Sequence, residues 1–227
     1  PAWLRPELLE RGALACHRAG MPGFYALRDL ALMGGYRLAA INQTLIATGE
    51  LARGARRRLA NTVKWQIDCT EPGGLAYGQP GFRSTLQVRV LHAMVRRRVQ
   101  RQPDWSTETW GLPVNQTDML GTYLGFSVLF LLGQRFLGVP VRDDDAQAVM
   151  HLWKYIAWLM GVDEDLLVDD ELEGRALLHD LLLAQAPADE SSLLLGRALM
   201  DEPMARHYRW LPTWRRRFER ARHLSLN

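Results

Sequence analysis

Cysteine is nearly absent from this chain of 227 residues: Cys16 and Cys69 are the only two. With no C-x-x-C pair and no C-x-x-C-H, the chain lacks the ligands for a thiolate zinc site and for covalent attachment of a c-type haem. Two cysteines make no disulfide framework, which accords with a reducing compartment. Lysine is almost as scarce. Of 28 basic residues only Lys64 and Lys154 are lysine. The rest are arginine, whose planar fork donates paired hydrogen bonds to carboxylates and phosphates; a biased genomic base composition yields the same usage. The net charge of +3 is small for a nucleic-acid binder. The longest charge-free apolar run, about Met119 to Leu132, is shorter than the ~20 residues of a membrane span and reads as a buried core helix. No basic-then-apolar leader is visible at Pro1, so the chain reads as soluble and cytoplasmic; the missing Met is compatible with a trimmed start.

What is present is helical almost throughout. The chain is 48% hydrophobic, enough for a sizeable core. Val, Ile and Thr do not alternate as in strands, and no Asn-Gly or Asp-Gly hairpin turn occurs. The pattern predicts a first helix over Pro6 to Ala19 and a second apolar stretch over 22–48, broken at Gly34-Gly35. A third helix runs from Leu51 to Cys69 and ends at Glu71-Pro72-Gly73-Gly74; a fourth runs from Phe82 to about Arg101. Pro103 and Pro113 bracket a loop. Asn115 or Thr117 caps the next helix, which reaches about Phe136 before Gly138 and Pro140 stop it. Asp143-Asp144-Asp145 supply a cap and favourable negative charge to a helix reaching Met160. Shorter helices fit 169–185 and 189–200, and the tail from Met204 is basic. Residues 119–136 and 146–160 are apolar nearly all round, so both belong in the middle of the molecule, wrapped by the others. With no repeat and no linker, the expected fold is all-α: one multi-helix globule over residues 1–227.

Familiar catalytic motifs are missing. There is no H-E-x-x-H, and no E-x-x-H of the kind that helical di-iron proteins use in pairs. No G-x-S-x-G and no Gly-rich phosphate loop occur. Of the six histidines, His92 has the most unusual setting, Arg89-Val90-Leu91-His92-Ala93-Met94-Val95-Arg96. Arg89, His92 and Arg96 share one helix face. An imidazole between two guanidinium groups suits a metal with anions beside it, as haem iron with its two propionates would present. The alternative is a solvated basic face continued by Arg97, Arg98 and Arg101. The preceding helix carries a second stripe, Arg58, Thr62 and Trp65, which either lines a ligand pocket or is an exposed Arg, a back-bonded Thr and a core Trp. In the tail, Arg215 to Arg217 with Trp210 and Trp214 read better as a docked terminal amphipathic helix than as a nucleic-acid or membrane contact.

These helices resemble the latex-clearing protein family of rubber oxygenases, a group that includes the fungal oxygenase of mycophenolic acid biosynthesis. The family pattern is an Arg-x-x-Lys-Thr helix, a Pro-Gly-Gly loop, and a helix close to Arg-x-x-His-Ala-x-x-Arg. Here these are Arg58 and Thr62, Pro72-Gly73-Gly74, and Arg89, His92, Ala93 and Arg96. Two further blocks resemble the family: Trp110 to Gln116 with Asp118 to Thr122, and His151-Leu152-Trp153 with Leu159 to Val162. The likeness is best over residues 1–170, with 171–227 as a helical C-terminal extension. It implies a globin-like core holding non-covalent haem b, with His92 as the proximal ligand. Arg89 and Arg96 would lie near the propionates, with Arg58 and Thr62 on the other wall. The partners implied are dioxygen and a small apolar, unsaturated substrate. One departure stands out: the rubber cleavers carry a lysine before the threonine, where this chain has Asn61. Asn61 could hydrogen-bond bound oxygen, which would make Asn61, Thr62 and Arg58 the catalytic candidates. The region around Asn42 and Gln43 carries no carboxylate to act as a base. A haem carrier or oxygen sensor without oxygenase activity is therefore the alternative.

Overall fold

The helices that the sequence places at the centre do lie there. In the computed structural model, which describes residues 1–49, 55–206 and 212–226, the central helix is α10 (Asp143–Met160). Its three leading aspartates face the positive end of the helix dipole, and Gly161 ends it in the left-handed region at φ 92. Between them almost every side chain is buried, including His151 and Lys154. α1 (Pro6–Arg18) packs along α10. The approach is close because residue 12 is glycine: a Cβ there would lie 2.4 Å from the Ala148 carbonyl oxygen. Arg11 completes the pairing on Asp145 at 2.8 Å and Asp144 at 3.1 Å.

The second central rod is α8 (Gln116–Leu124), a π-helical segment (Gly125–Leu129) and α9 (Phe130–Phe136) in one continuous run. Asn115 caps it, accepting from the Asp118 N–H at 2.9 Å. Against this rod lie α2 (Gly20–Tyr25) and a second π-helical segment (Ala26–Leu32), which runs on into the short α3 (Met33–Gly35). Small residues allow the contact: a Cβ on Gly133 would sit 2.5 Å from that of Ala26, and one on Gly23 would sit 2.9 Å from the Phe130 ring. The expected break in 22–48 falls just after Gly34-Gly35, and α4 (Ala39–Ala47) follows.

α5 (Ala55–Thr70) and α6 (Pro80–Val99) form a hairpin packed on this core. The expected start of the third helix, Leu51, lies outside the described residues, as does Trp210. A short α7 (Thr107–Trp110), capped by Ser106, sits in the loop between the prolines. α11 (Glu171–Ala184) and α12 (Glu190–Asp201) are capped by Asp170 and Asp189. The tail forms α13 (Pro212–Leu226), docked on the globule through Arg220 to Asp201 at 2.9 Å and Arg222 to Asp29 at 3.4 Å. The fold is all-α, a single globule with the globin-like layering expected of it. Among the described residues no helix is long and apolar enough to cross a membrane.

Candidate functional site

The closed end of the α5–α6 hairpin is clasped by small and polar groups. Gly81 sits so tightly on the last turn of α5 that a Cβ would lie 2.4 Å from the Asp68 carbonyl oxygen. Thr85 is wholly buried. Its hydroxyl donates to the Gly81 carbonyl at 2.7 Å, accepts from Trp65 Nε1 at 3.0 Å, and lies 3.3 Å from Cys69 Sγ. Cys69 thus opposes Gly81, and Trp65 opposes Thr85.

Trp65 also starts an aromatic wall. Its ring meets Phe126 edge-on with centroids 5.4 Å apart, and Phe126 stacks on Trp153 at 4.5 Å. The trio joins α5, the Gly125–Leu129 segment and α10. Such pairs add roughly 0.5–1.5 kcal/mol each beyond their buried area.

His92 is half-buried, and its Nδ1 is buried with no hydrogen-bond partner. Burial, and then the nearby Arg96 charge, lower its pKa below the ordinary histidine value. The ring is therefore neutral at pH 7 and keeps a lone pair for a metal. Among the described residues no group of three His, Cys, Asp or Glu side chains is placed to hold a metal ion by itself. His92 alone would suffice only for a metal group that brings its remaining donors with it.

The other sequence candidates lie on the same two helices, α5 and α6. Arg96 donates Nε to the Pro113 carbonyl at 3.2 Å and Nη2 to the Val114 carbonyl at 2.6 Å. Arg89 donates Nη1 to the Leu159 carbonyl at 3.1 Å. Both arginines thus bind backbone oxygens. Each guanidinium carries five N–H donors, so these contacts leave donors for an anion. On α5, Arg58 Nη1 donates to the Tyr36 hydroxyl at 3.0 Å, with the guanidinium over the ring at 5.8 Å. Thr62 is half-buried and Asn61 is exposed.

Several features of this region leave no mark in the sequence. Phe126 was hidden in a uniformly apolar run. Asp118 opens the family-like block Asp118 to Thr122, but only the fold shows that burial pushes its carboxyl up to about 6, into the range of a working acid–base group. Val114 and Gln116 fall inside the block Trp110 to Gln116 that resembles the family, but nothing local shows that they contact the α6 turns. Two surface clefts lie elsewhere: one of about 260 Å³ beside Leu9, Leu75 and Tyr155, and one of about 540 Å³ on the outer side of α5 at Leu59, Val63 and Ile67. Neither reaches His92.

Residues 23–226 match the family model described as the catalytic domain of ER-bound oxygenase mpaB/B′ and rubber oxygenase. The chain is 25% identical over 205 residues to a rubber oxygenase from Streptomyces sp. (strain K30), covering 86% of this chain and 50% of that relative. Its fold is similar to that of the latex clearing protein in the closed state, with a TM-score of 0.79 at 20% identity, over 90% of this chain and 56% of that one. The chain therefore spans about half the length of the curated relative it matches.

Proposed function

The chain belongs to the family formed by the catalytic domain of the mpaB/B′ oxygenases and rubber oxygenases, and from that premise we propose that it holds haem b on His92 and oxygenates a small apolar, unsaturated substrate with dioxygen. The observation that carries the reading is the neutral imidazole of His92, with a buried ring nitrogen that no protein group satisfies. Haem b, when bound, supplies the redox-active iron for chemistry with oxygen. The protein's own residues prepare the place. Arg89 and Arg96 have N–H donors remaining for the two carboxylates of the group. Trp65, Phe126 and Trp153 form a wall that excludes water and suits an apolar partner. Arg58, steadied on Tyr36, and the Thr62 hydroxyl are the polar groups of the α5 side.

Reconstitution with hemin tests this directly. A Soret band is expected, and its complete absence from the supplemented protein would sink the reading. A His92→Ala variant that kept full haem content would refute the ligand assignment. Oxygen consumption with a panel of isoprenoid alkenes tests the activity. A haem carrier or sensor is the second reading, favoured by Asn61, a neutral and exposed side chain in place of the lysine of the rubber cleavers. It expects full haem loading with no oxygen consumed on any alkene.

A further inference from the structure

The two arginines that flank His92 are linked to each other through distant parts of the chain. Arg96 holds the Pro113 and Val114 carbonyls, and Arg89 holds the Leu159 carbonyl. The Arg89 guanidinium also lies over Gly161, where a Cβ would come within 3.0 Å of its Cζ. Gln116 closes the circuit. Its Nε2 donates to the Gly161 carbonyl at 3.0 Å, and its Oε1 accepts from the Asp163 N–H at 3.1 Å. The turns of α6 from Arg89 to Arg96, the bend at 113–116 and the bend at 159–163 thus form one ring of contacts.

Two backbone features show how firmly that ring is held. Gly161 has φ 92, and Val114 has φ 52. The first is natural for glycine. The second is costly for a β-branched residue and persists only where the surroundings over-determine it. Arg96 grips the carbonyl of this same Val114, and Gln116 follows two residues later. A helix tied to fixed backbone on both sides of one residue resists sliding and rotating there, so the ring of contacts sets the direction in which the His92 Cα–Cβ bond leaves α6.

We propose that Gln116 is a positioning residue for His92, tying the two bends together so that Arg89 and Arg96 hold the histidine-bearing turns in one orientation. Its consequence for haem rests on the reading of His92 as the ligand; the mechanical link does not. Full-length Gln116→Ala and Gln116→Glu variants test it. For Gln116→Ala, helical circular dichroism is retained. Amide exchange over residues 89–96 quickens about fivefold, as expected for one net hydrogen bond lost. The His92 imidazole resonance moves in the protein without haem, and the hemin Kd rises about tenfold, the low end for groups that support a metal ligand. Gln116→Glu keeps the acceptor for Asp163 but sets a carboxylate oxygen against the Gly161 carbonyl in place of the donor, so it breaks the same link and shows the same changes. It decides the matter if the alanine variant does not fold. Unchanged exchange over 89–96, or an unmoved His92 resonance, overturns the proposal whatever the haem result. A wild-type chain that takes up no hemin defeats the haem reading instead, and the exchange and resonance data still judge the link.

Discussion

Arg28 and Asp29, in the π-helical segment Ala26–Leu32, carry the sharpest stability prediction. The Arg28 side chain is fully inaccessible and that of Asp29 nearly so, at 0% and 3% exposure. Arg28 Nη1 donates to Asp29 at 2.5 Å and Nη2 to the Leu199 carbonyl at 2.6 Å, while Nε has no partner. The next carboxylate, Glu202, is 3.7 Å away. Asp29 also meets His223 Nδ1 at 2.6 Å and Arg222 at 3.4 Å, which fastens α13 to the core. Burial alone would raise the Asp29 pKa, but the hydrogen bond from His223 and the charge of Arg28 outweigh it and hold the carboxyl below its ordinary value. Replacing Asp29 by Leu therefore leaves the buried guanidinium with the Leu199 carbonyl and only the more distant Glu202 to balance its charge. Breaking such a pair from one side costs about 3–5 kcal/mol, a large part of a typical stability of roughly 5–15 kcal/mol. For a chain of this length that is a fall in melting temperature of roughly 6–20 °C. Replacing both, Arg28→Met with Asp29→Leu, removes the buried charge along with the pair, and the double variant is expected to be more stable than Asp29→Leu alone by about 2 kcal/mol. Urea unfolding followed by circular dichroism gives all four corners of the cycle. A cost below about 1 kcal/mol for Asp29→Leu, or a double variant whose loss equals the two single losses added, would refute the reasoning.

Other predictions concern pH and packing. The buried His151 Nε2 accepts from the Arg5 N–H at 3.0 Å, and burial, with help from Arg5 and Lys154, lowers its pKa. The unfolded chain therefore takes up the proton first, and stability should fall as pH drops below about 6.5 toward the folded value; a His151→Gln variant with an equally steep slope in a pH series of melts would contradict this. Asp118 behaves oppositely: its carboxyl, pushed up to about 6, binds a proton more readily in the folded state, so this contribution is lost as pH rises through about 6. Asp118→Asn should gain roughly 1–3 kcal/mol over wild type between pH 4 and 7, and an advantage that shrinks over that range would exclude the assignment. Gly12→Ala, with its Cβ 2.4 Å from the Ala148 carbonyl oxygen, should cost about 1–3 kcal/mol by prising α1 from α10; an unchanged denaturation midpoint would show that the helices can part freely.

Much of the helix framework was legible because its signals are local. Pro6, the aspartates at 143–145, Asn115 and Gly161 mark ends within a few residues of where the helices begin and stop. The all-round apolarity of α10 announced its central place. The six candidates Arg58, Asn61, Thr62, Arg89, His92 and Arg96 could be named from spacing and family likeness. Their partners could not. That Arg89 and Arg96 grip the carbonyls of Leu159, Pro113 and Val114 depends on bends 17 to 70 residues away. Nothing beside Asp29 tells that Arg222, 193 residues on, returns to it. The π-helical segments are equally silent, since an extra residue in a turn leaves no mark in the hydrophobic period; small residues on the packed neighbour, Gly125 against Ala31 and Gly133 against Ala26, leave room for it. The chain by itself therefore determined where helices form and which side chains could carry chemistry, because periodicity, caps and charge act over a few residues. Only the tertiary structure decided which backbone oxygens fix the His92 turn and which charges meet in the core, because those distances exist only once remote segments have packed together.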